Sequence, residues 1–393
     1  MPVVFASYLE PGPNRPTVLI YHHYDVQPVD PIELWKSSPF KPEIRNNQVF
    51  ARGAVDNKGQ CFYTIAALKA VFQLAKHINI NIKVFIEGEE ESGGTGTSAI
   101  LSERKSELQA EHLLVVDFGI PDVHTPAITL GMRGIVTMDV ECENSFIDLH
   151  SGEHGGIALN PNRALASLLA SLWDEKGRIT IPHFYDEVRS LSKEQLRLID
   201  TSFDKDKYQK EFGVKAFCNE QGHSILEMNW LRPVLEINGI WGGYIGSGFK
   251  TVIPSKAHAK LSCRLVPYQK PETIGRRITE FLKKNAPDGI SIRTNVHHGA
   301  PGYICSIESA IVTIANRAFS EVFGKQTRFQ FCGASVPIVG ELAEASGAHV
   351  AMIGVGLASD DIHAPNEHFG LDRFELGYLV LGRILCLLSE GEI

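Results

Sequence analysis

The chain has no cluster of lysine and arginine, no CxxC pair, no GxSxG elbow and no apolar stretch of the ~20 residues needed to cross a bilayer. Each absence removes a class of function. Phosphate contacts need grouped cations, and a net charge of -8 over 393 residues argues against nucleic acid as the main partner. The seven cysteines, Cys61, Cys142, Cys218, Cys263, Cys305, Cys332 and Cys386, stand singly and in odd number, and read as reduced thiols. The start, MPVVFASYLEPGPNRP, lacks the basic residues and apolar core of a signal peptide. Together these features predict a soluble, cytoplasmic protein with no membrane contact. A serine hydrolase ranks low without the elbow, although Ser151 follows His150. Internal repeats and low-complexity tracts are also absent.

What is present is ordinary globular composition, 44% hydrophobic and 21% charged. The length exceeds what a single core usually serves, so two domains are expected. TVLIYHHYDV (17–26), NIKVFIEGEEES (81–92), HLLVVDFG (112–119) and HVAMIGVGLASDDIHAP (349–365) share one design: a buried apolar run that turns polar at its C-terminal end. Between the first two lies KGQCFYTIAALKAVFQLAK (58–76), apolar at helical spacing, with Asp56 and Asn57 as candidate caps. This alternation predicts an α/β layer with a mostly parallel central sheet. The middle of the chain differs. GIVTMDVECE (134–143) and SKAHAKLSCRLVP (255–267) alternate apolar and polar residues, as half-exposed antiparallel strands do, and helical stretches at 162–175 and 271–286 follow them. An α+β domain over residues 131–298 is therefore expected to be inserted into an outer domain of residues 1–130 and 299–393, which a helix near 373–389 completes.

Open α/β sheets place ligands beyond the carboxyl ends of their strands. At or just past those ends stand His23 and Asp25, then Glu90 and Glu91, then Asp117, then His363, with Asp56 at the head of the intervening helix. Imidazoles and carboxylates together suit Zn²⁺ or Mn²⁺, and can hold two ions if one carboxylate bridges. Each residue alone has a plainer reading: His23 as a turn residue, Asp56 as a helix cap, Asp117 as a loop cap, His363 as part of a solvated acidic loop, and the Glu89–Glu91 run as a solvated turn. Their convergence on one sheet edge favours the metal site.

HYDVQP (23–28), ARGAVDNKG (51–59), EESGG (90–94), LLVVD (113–117), DLHSGEHGG (148–156), KTVIP (250–254) and RLVP (264–267) carry a further signal. In order and spacing the chain resembles the zinc-peptidase family of carnosinase-type cytosolic dipeptidases, aminoacylases and succinyl-diaminopimelate desuccinylase, from about residue 15 to the C-terminus. The resemblance implies a zinc-peptidase-like catalytic domain with an inserted dimerisation, or lid, domain. It implies that His23, Asp56 and Asp117 hold one metal and Asp56, Glu91 and His363 the other, with Asp25 orienting the His23 imidazole and Glu90 as general base. His150 would stabilise the oxyanion, reaching across a homodimer interface. Thr251, Arg264, His298 and Ser335 would grip the substrate's carboxylate and carbonyl, with Asn366 and Glu367 as weaker candidates. Guanidinium suits that task because it pairs with carboxylate through two parallel hydrogen bonds. Glu89 is left as a solvated or supporting residue.

Asp117 is aspartate where the family's deacylases generally carry glutamate, and the inserted domain is long. The expected activity is therefore that of a dinuclear dipeptidase, using Zn²⁺ or else Mn²⁺ or Co²⁺, acting on small peptides with a free C-terminal carboxylate. An N-acyl-amino-acid deacylase is the alternative, and a silent peptide-binding protein a more distant one. The sequence departs from the family's pattern in three places. Only 22 residues precede His23, fewer than relatives usually carry. His22 stands where a glycine is usual, and FCGASVP (331–337) replaces the usual acidic-glycine lead into GSIP.

Overall fold

A computed structural model describes residues 1–75, 77–199 and 201–391. The four apolar runs form neighbouring strands. Thr17–His23 pairs in parallel with Asn81–Glu87 on one side and His112–Val116 on the other, and His112–Val116 pairs in parallel with His349–Ile353. Residues 18–23 and 112–116 are buried throughout, because helices cover both faces of the sheet and leave no wet side for polar alternation. The sheet has eight strands and is mixed. Val4–Tyr8 pairs antiparallel at one end, while at the other Ala127–Met132 pairs antiparallel with Tyr303–Ile304 and parallel with Arg328–Cys332.

The helix expected over 58–76 spans Lys58–Leu74, and Lys76 lies outside the described residues. It packs on the C-terminal helix Leu371–Glu390 at a close crossing. A Cβ at Gly377 would sit 2.5 Å from the buried Tyr63 ring, so only glycine fits there. No helix among the described residues is long and apolar enough to cross a membrane.

A second, four-stranded antiparallel sheet runs in the order Val234–Gly242, Lys256–Leu265, Gly134–Glu143, Ser291–Val296. Gly134–Glu143 alternates buried and half-buried residues along its whole length, matching the sequence alternation. Helices Pro161–Ala170 and Pro271–Asn285 pack their apolar stripes on one face of this sheet. The buried side chains thus form two clusters: one drawn mainly from 18–132 and 305–388, the other from 136–292. One stretch of the middle segment leans the other way. Ile199 is buried in the first cluster, and Leu191, Trp230 and Leu231 pack against it.

Candidate metal and catalytic centre

The sheet's parallel strands end together, so the residues just past them meet. Asp56 lies at the centre of the meeting point. Its Oδ1 is 2.9 Å from His23 Nε2 and its Oδ2 2.9 Å from His363 Nε2. Asp117 Oδ1 lies 3.6 Å from the same His23 nitrogen, and Glu91 Oε1 lies 3.4 Å from the same His363 nitrogen. Two triplets result, His23–Asp56–Asp117 and Asp56–Glu91–His363, and the donor atoms within each lie within 4.8 Å of one another. Asp56 is common to both and offers a different oxygen to each. The cap reading of Asp56 does not hold: Asn57 occupies the N-cap of Lys58–Leu74, and its side chain makes no cap bond either.

The donor set fits cations. Three carboxylates face two imidazoles, with a fourth, Glu90, beside them, and the His363 imidazole at 3.4 Å is the ion-pair partner of the buried Glu91 Oε1. Such groups are costly to bury unless paired or coordinated. Mixed imidazole and carboxylate donors at this spacing suit divalent zinc, manganese or cobalt.

Each donor is held from behind. His23 Nδ1 lies 3.2 Å from Asp25 Oδ1, which turns the Nε2 lone pair toward Asp56 and Asp117. The other Asp25 oxygen accepts from the Glu91 backbone N–H at 3.0 Å, so one carboxylate ties both triplets together. Behind Asp117, the Asn57 amide donates to Val116 O at 2.9 Å and to Asp117 Oδ1. Its NH₂ is thereby committed, so its Oδ1 must accept, and His22 Nδ1 donates to it at 2.7 Å. Burial pushes the His22 imidazole down to about 4, which keeps it neutral. Asp56 is held through its backbone: the buried Glu367 carboxylate accepts from the N–H groups of Gly53, Val55 and Asp56 and from Arg52.

These surroundings set the charges. Burial disfavours the charged form of Asp56, but the bonds from His23 and His363 outweigh it and hold the carboxyl well below its usual range. Bonds to Asp56 and Glu91 raise His363 to about 10. Burial, and then the neighbouring Asp117 charge, push Glu90 up to about 8. That is the environment of a group that takes up a proton readily.

Glu90, Asp56, Asp117 and His363 line one end of a cavity of about 350 Å³, and Ser335 lies on its wall. Ser335 Oγ accepts from Arg264 Nη1 at 3.0 Å, and among the described residues Arg264 has no ion-pair partner. The remaining expected site residues lie apart. His150 and Thr251 are exposed on the paired segments Leu149–His150 and Val252–Ile253 and their approach, outside the cavity, and His150 Nδ1 accepts from Gly152 N at 2.9 Å. His298 is exposed just past Ser291–Val296. Both ends of the Asn366 amide are bonded to the 34–36 loop, to Lys36 N and Leu34 O. Glu367 is fully buried behind Asp56 instead of reaching the pocket. Glu89 is not simply solvated; its Oε2 accepts from Gly96 N at 2.8 Å. The sequence reading missed the supporting roles of Arg52, Asn57 and His22, and the unusual HH pair before YD was the one visible signal of the last.

Solved structures resembling this chain share its fold. Residues 19–386 match Peptidase family M20/M25/M40, and the chain belongs to that family. It is a metallopeptidase-type hydrolase of α/β fold. It is 31% identical to the Beta-Ala-His dipeptidase of Homo sapiens over 93% of this chain and 74% of that protein. Against a Cys-Gly metallodipeptidase of Schizosaccharomyces pombe the identity is 29%, over 96% of this chain and 80% of the relative. The solved M20 metallo-carboxypeptidase Sso-CP2 of Sulfolobus solfataricus superposes with a TM-score of 0.88 at 31% identity, covering 99% of this chain and 88% of that one.

Proposed function

We propose that the protein is a dinuclear metallodipeptidase cleaving small peptides with a free C-terminal carboxylate. The observation that carries the reading is Asp56, which presents one oxygen to each of two imidazole–carboxylate triplets beside a buried glutamate of raised pKa. His23, Asp56 and Asp117 would hold one divalent ion, and Asp56, Glu91 and His363 the other, with Zn²⁺ the preferred occupant and Mn²⁺ or Co²⁺ substitutes. When bound, such ions supply Lewis-acid polarisation of the scissile carbonyl and acidify water at neutral pH.

The chain's own groups do the rest. Glu90 accepts the proton released from the attacking water and returns it to the departing amine, for which a carboxyl pushed toward neutrality is suited. Asp25 keeps His23 in the tautomer whose Nε2 faces inward. Ser335 on the cavity wall, with Arg264 bonded to it from behind, receives the substrate's C-terminal carboxylate. Ligand sites commonly span roughly 300–1,000 Å³, so a cavity of about 350 Å³ suits a dipeptide better than a long chain.

His150, Thr251 and His298 complete the site from outside. The loops carrying the first two expose Phe146, Ile147, Ile157, Ile245 and Phe249, an apolar collar that a second copy would cover. In this reading residues 131–298 form the dimerising unit, residues 1–130 and 299–393 the catalytic one, and the dimer works in the cytoplasm. The dipeptidases among the relatives favour peptide cleavage over N-acyl removal. The test is turnover of matched dipeptides and N-acetyl or N-succinyl amino acids by metal-loaded enzyme. Dipeptides should be cleaved at least tenfold faster; faster release from N-acyl substrates would overturn the assignment.

A further inference from the structure

We propose that the inner part of the cavity selects peptides whose N-terminal residue carries a bulky, uncharged apolar side chain, with Trp230 as a determinant of that choice. The inference rests on the dipeptidase reading and extends it to the substrate class. Its starting point is direction. In that reading Ser335, backed by Arg264, receives the C-terminal carboxylate, and the scissile carbonyl lies against Glu90, Asp56 and Asp117. The same reading gives the N-terminal side chain the rest of the cavity, whose apolar lining includes Phe118, Ile120, Trp230, Phe331, Val336 and Leu357.

All four ionisable carboxylates and imidazoles lining the cavity, Asp56, Glu90, Asp117 and His363, belong to the metal and base cluster. Beyond them no charged side chain lines the wall, so a lysine or aspartate entering there would lose its hydration without gaining a partner. Two of the polar wall groups are already engaged. Gln60 Oε1 accepts from Tyr63 Oη at 3.0 Å and from Val355 N at 3.2 Å, and Gln330 Nε2 donates to Gly119 O at 2.8 Å and to Thr129 Oγ1 at 3.3 Å. Cys332, the remaining side chain at that end able to ionise, stays a neutral thiol because burial raises it.

Trp230 has a special position. It ends the helix Ile225–Trp230 of the middle segment, yet packs against the outer core, so its ring forms part of the wall from a different piece of chain. An aromatic residue there adds a large apolar surface with little conformational cost to fix.

The experiment compares X-Ala dipeptides with X as Gly, Leu, Phe, Lys or Asp. Turnover by the zinc-loaded enzyme is read as kcat/KM, and binding to zinc-loaded Glu90→Gln protein is measured by calorimetry. A hydrophobic pocket distinguishes one methylene by roughly 10- to 200-fold. Leu-Ala and Phe-Ala should therefore exceed Gly-Ala, Lys-Ala and Asp-Ala by at least tenfold in both measurements. Trp230→Ala should cut the Phe-to-Gly ratio by about tenfold, and Leu357→Asp should shift preference toward Lys-Ala. Equal preference across X, or preference for Lys or Asp in the unmodified enzyme, would overturn the pocket assignment. Binding that follows apolar size without hydrolysis of any dipeptide would instead overturn the dipeptidase reading and support the pocket.

Discussion

At the scale of single residues the account turns on the division of labour within IEGEEESGG. Glu91 sends its carboxylate to His363, Glu89 bonds Gly96 N, and Glu90 lines the cavity with its proton affinity raised. Glu90→Gln should lower kcat by about 10²–10⁴-fold, the usual weight of a general base, while plasma emission shows the same metal content as the parent enzyme. The pH dependence follows from the sign of the shift. A raised value keeps the carboxyl protonated, and idle as a base, at lower pH, so kcat/KM should rise as pH climbs through the Glu90 titration. That acid limb should lie above the ordinary glutamate value of about 4.3, though bound cations pull it below the value of about 8 that the protein groups alone set. Steady-state rates from pH 5 to 9 check this. Asn57→Ala, which removes the donor to Asp117, should weaken binding at the His23–Asp56–Asp117 triplet by about 10–100-fold in calorimetric titration and leave the other triplet's affinity in place. The members of the two triplets were legible because donors of the right chemistry recur at strand ends. Their supports were not. Glu367 follows His363 so closely that it reads as a pocket residue, and only the folded loop shows it bonded to three backbone N–H groups around Asp56.

At the scale of elements, two long segments anchor the site. The buried Asp360 and Arg373 form a two-armed ion pair, with Nη2 to Oδ1 at 2.7 Å, that ties the turn before His363 to the C-terminal helix. Arg373→Ala leaves a buried carboxylate unpaired and should cost about 3–5 kcal/mol, read as a lowered midpoint in denaturant unfolding. The central strands and both long helices were legible, because burial on two faces demands unbroken apolar runs and helix packing demands stripes. Direction and edge were not. Val4–Tyr8 is exposed along most of its length, so no burial pattern marked it as a strand. Whether Ala127–Met132 runs with or against His349–Ile353 depends on connections that apolar periodicity does not encode. The lean of Ile199 and Trp230 toward the outer core was likewise hidden, since a buried side chain does not name its core.

At the scale of the whole molecule, the site spans more than one chain in this reading. The His150 collar has the exposed apolar side chains of an unfinished surface. Replacing Ile245 and Phe249 together by aspartate should give monomers in sedimentation velocity, with kcat lost and bound metal kept. Mixing inactive Glu90→Gln and His150→Ala proteins should restore activity as hybrid dimers form, because one of their two sites then has both residues. The central claim, two cations held by two triplets that share Asp56, is tested most directly by titrating chelator-stripped protein with Zn²⁺ while following both calorimetric binding and dipeptide hydrolysis. The account predicts two equivalents bound per chain and activity that rises with them; activity unaffected by chelation, or complete with no ion bound, would contradict it.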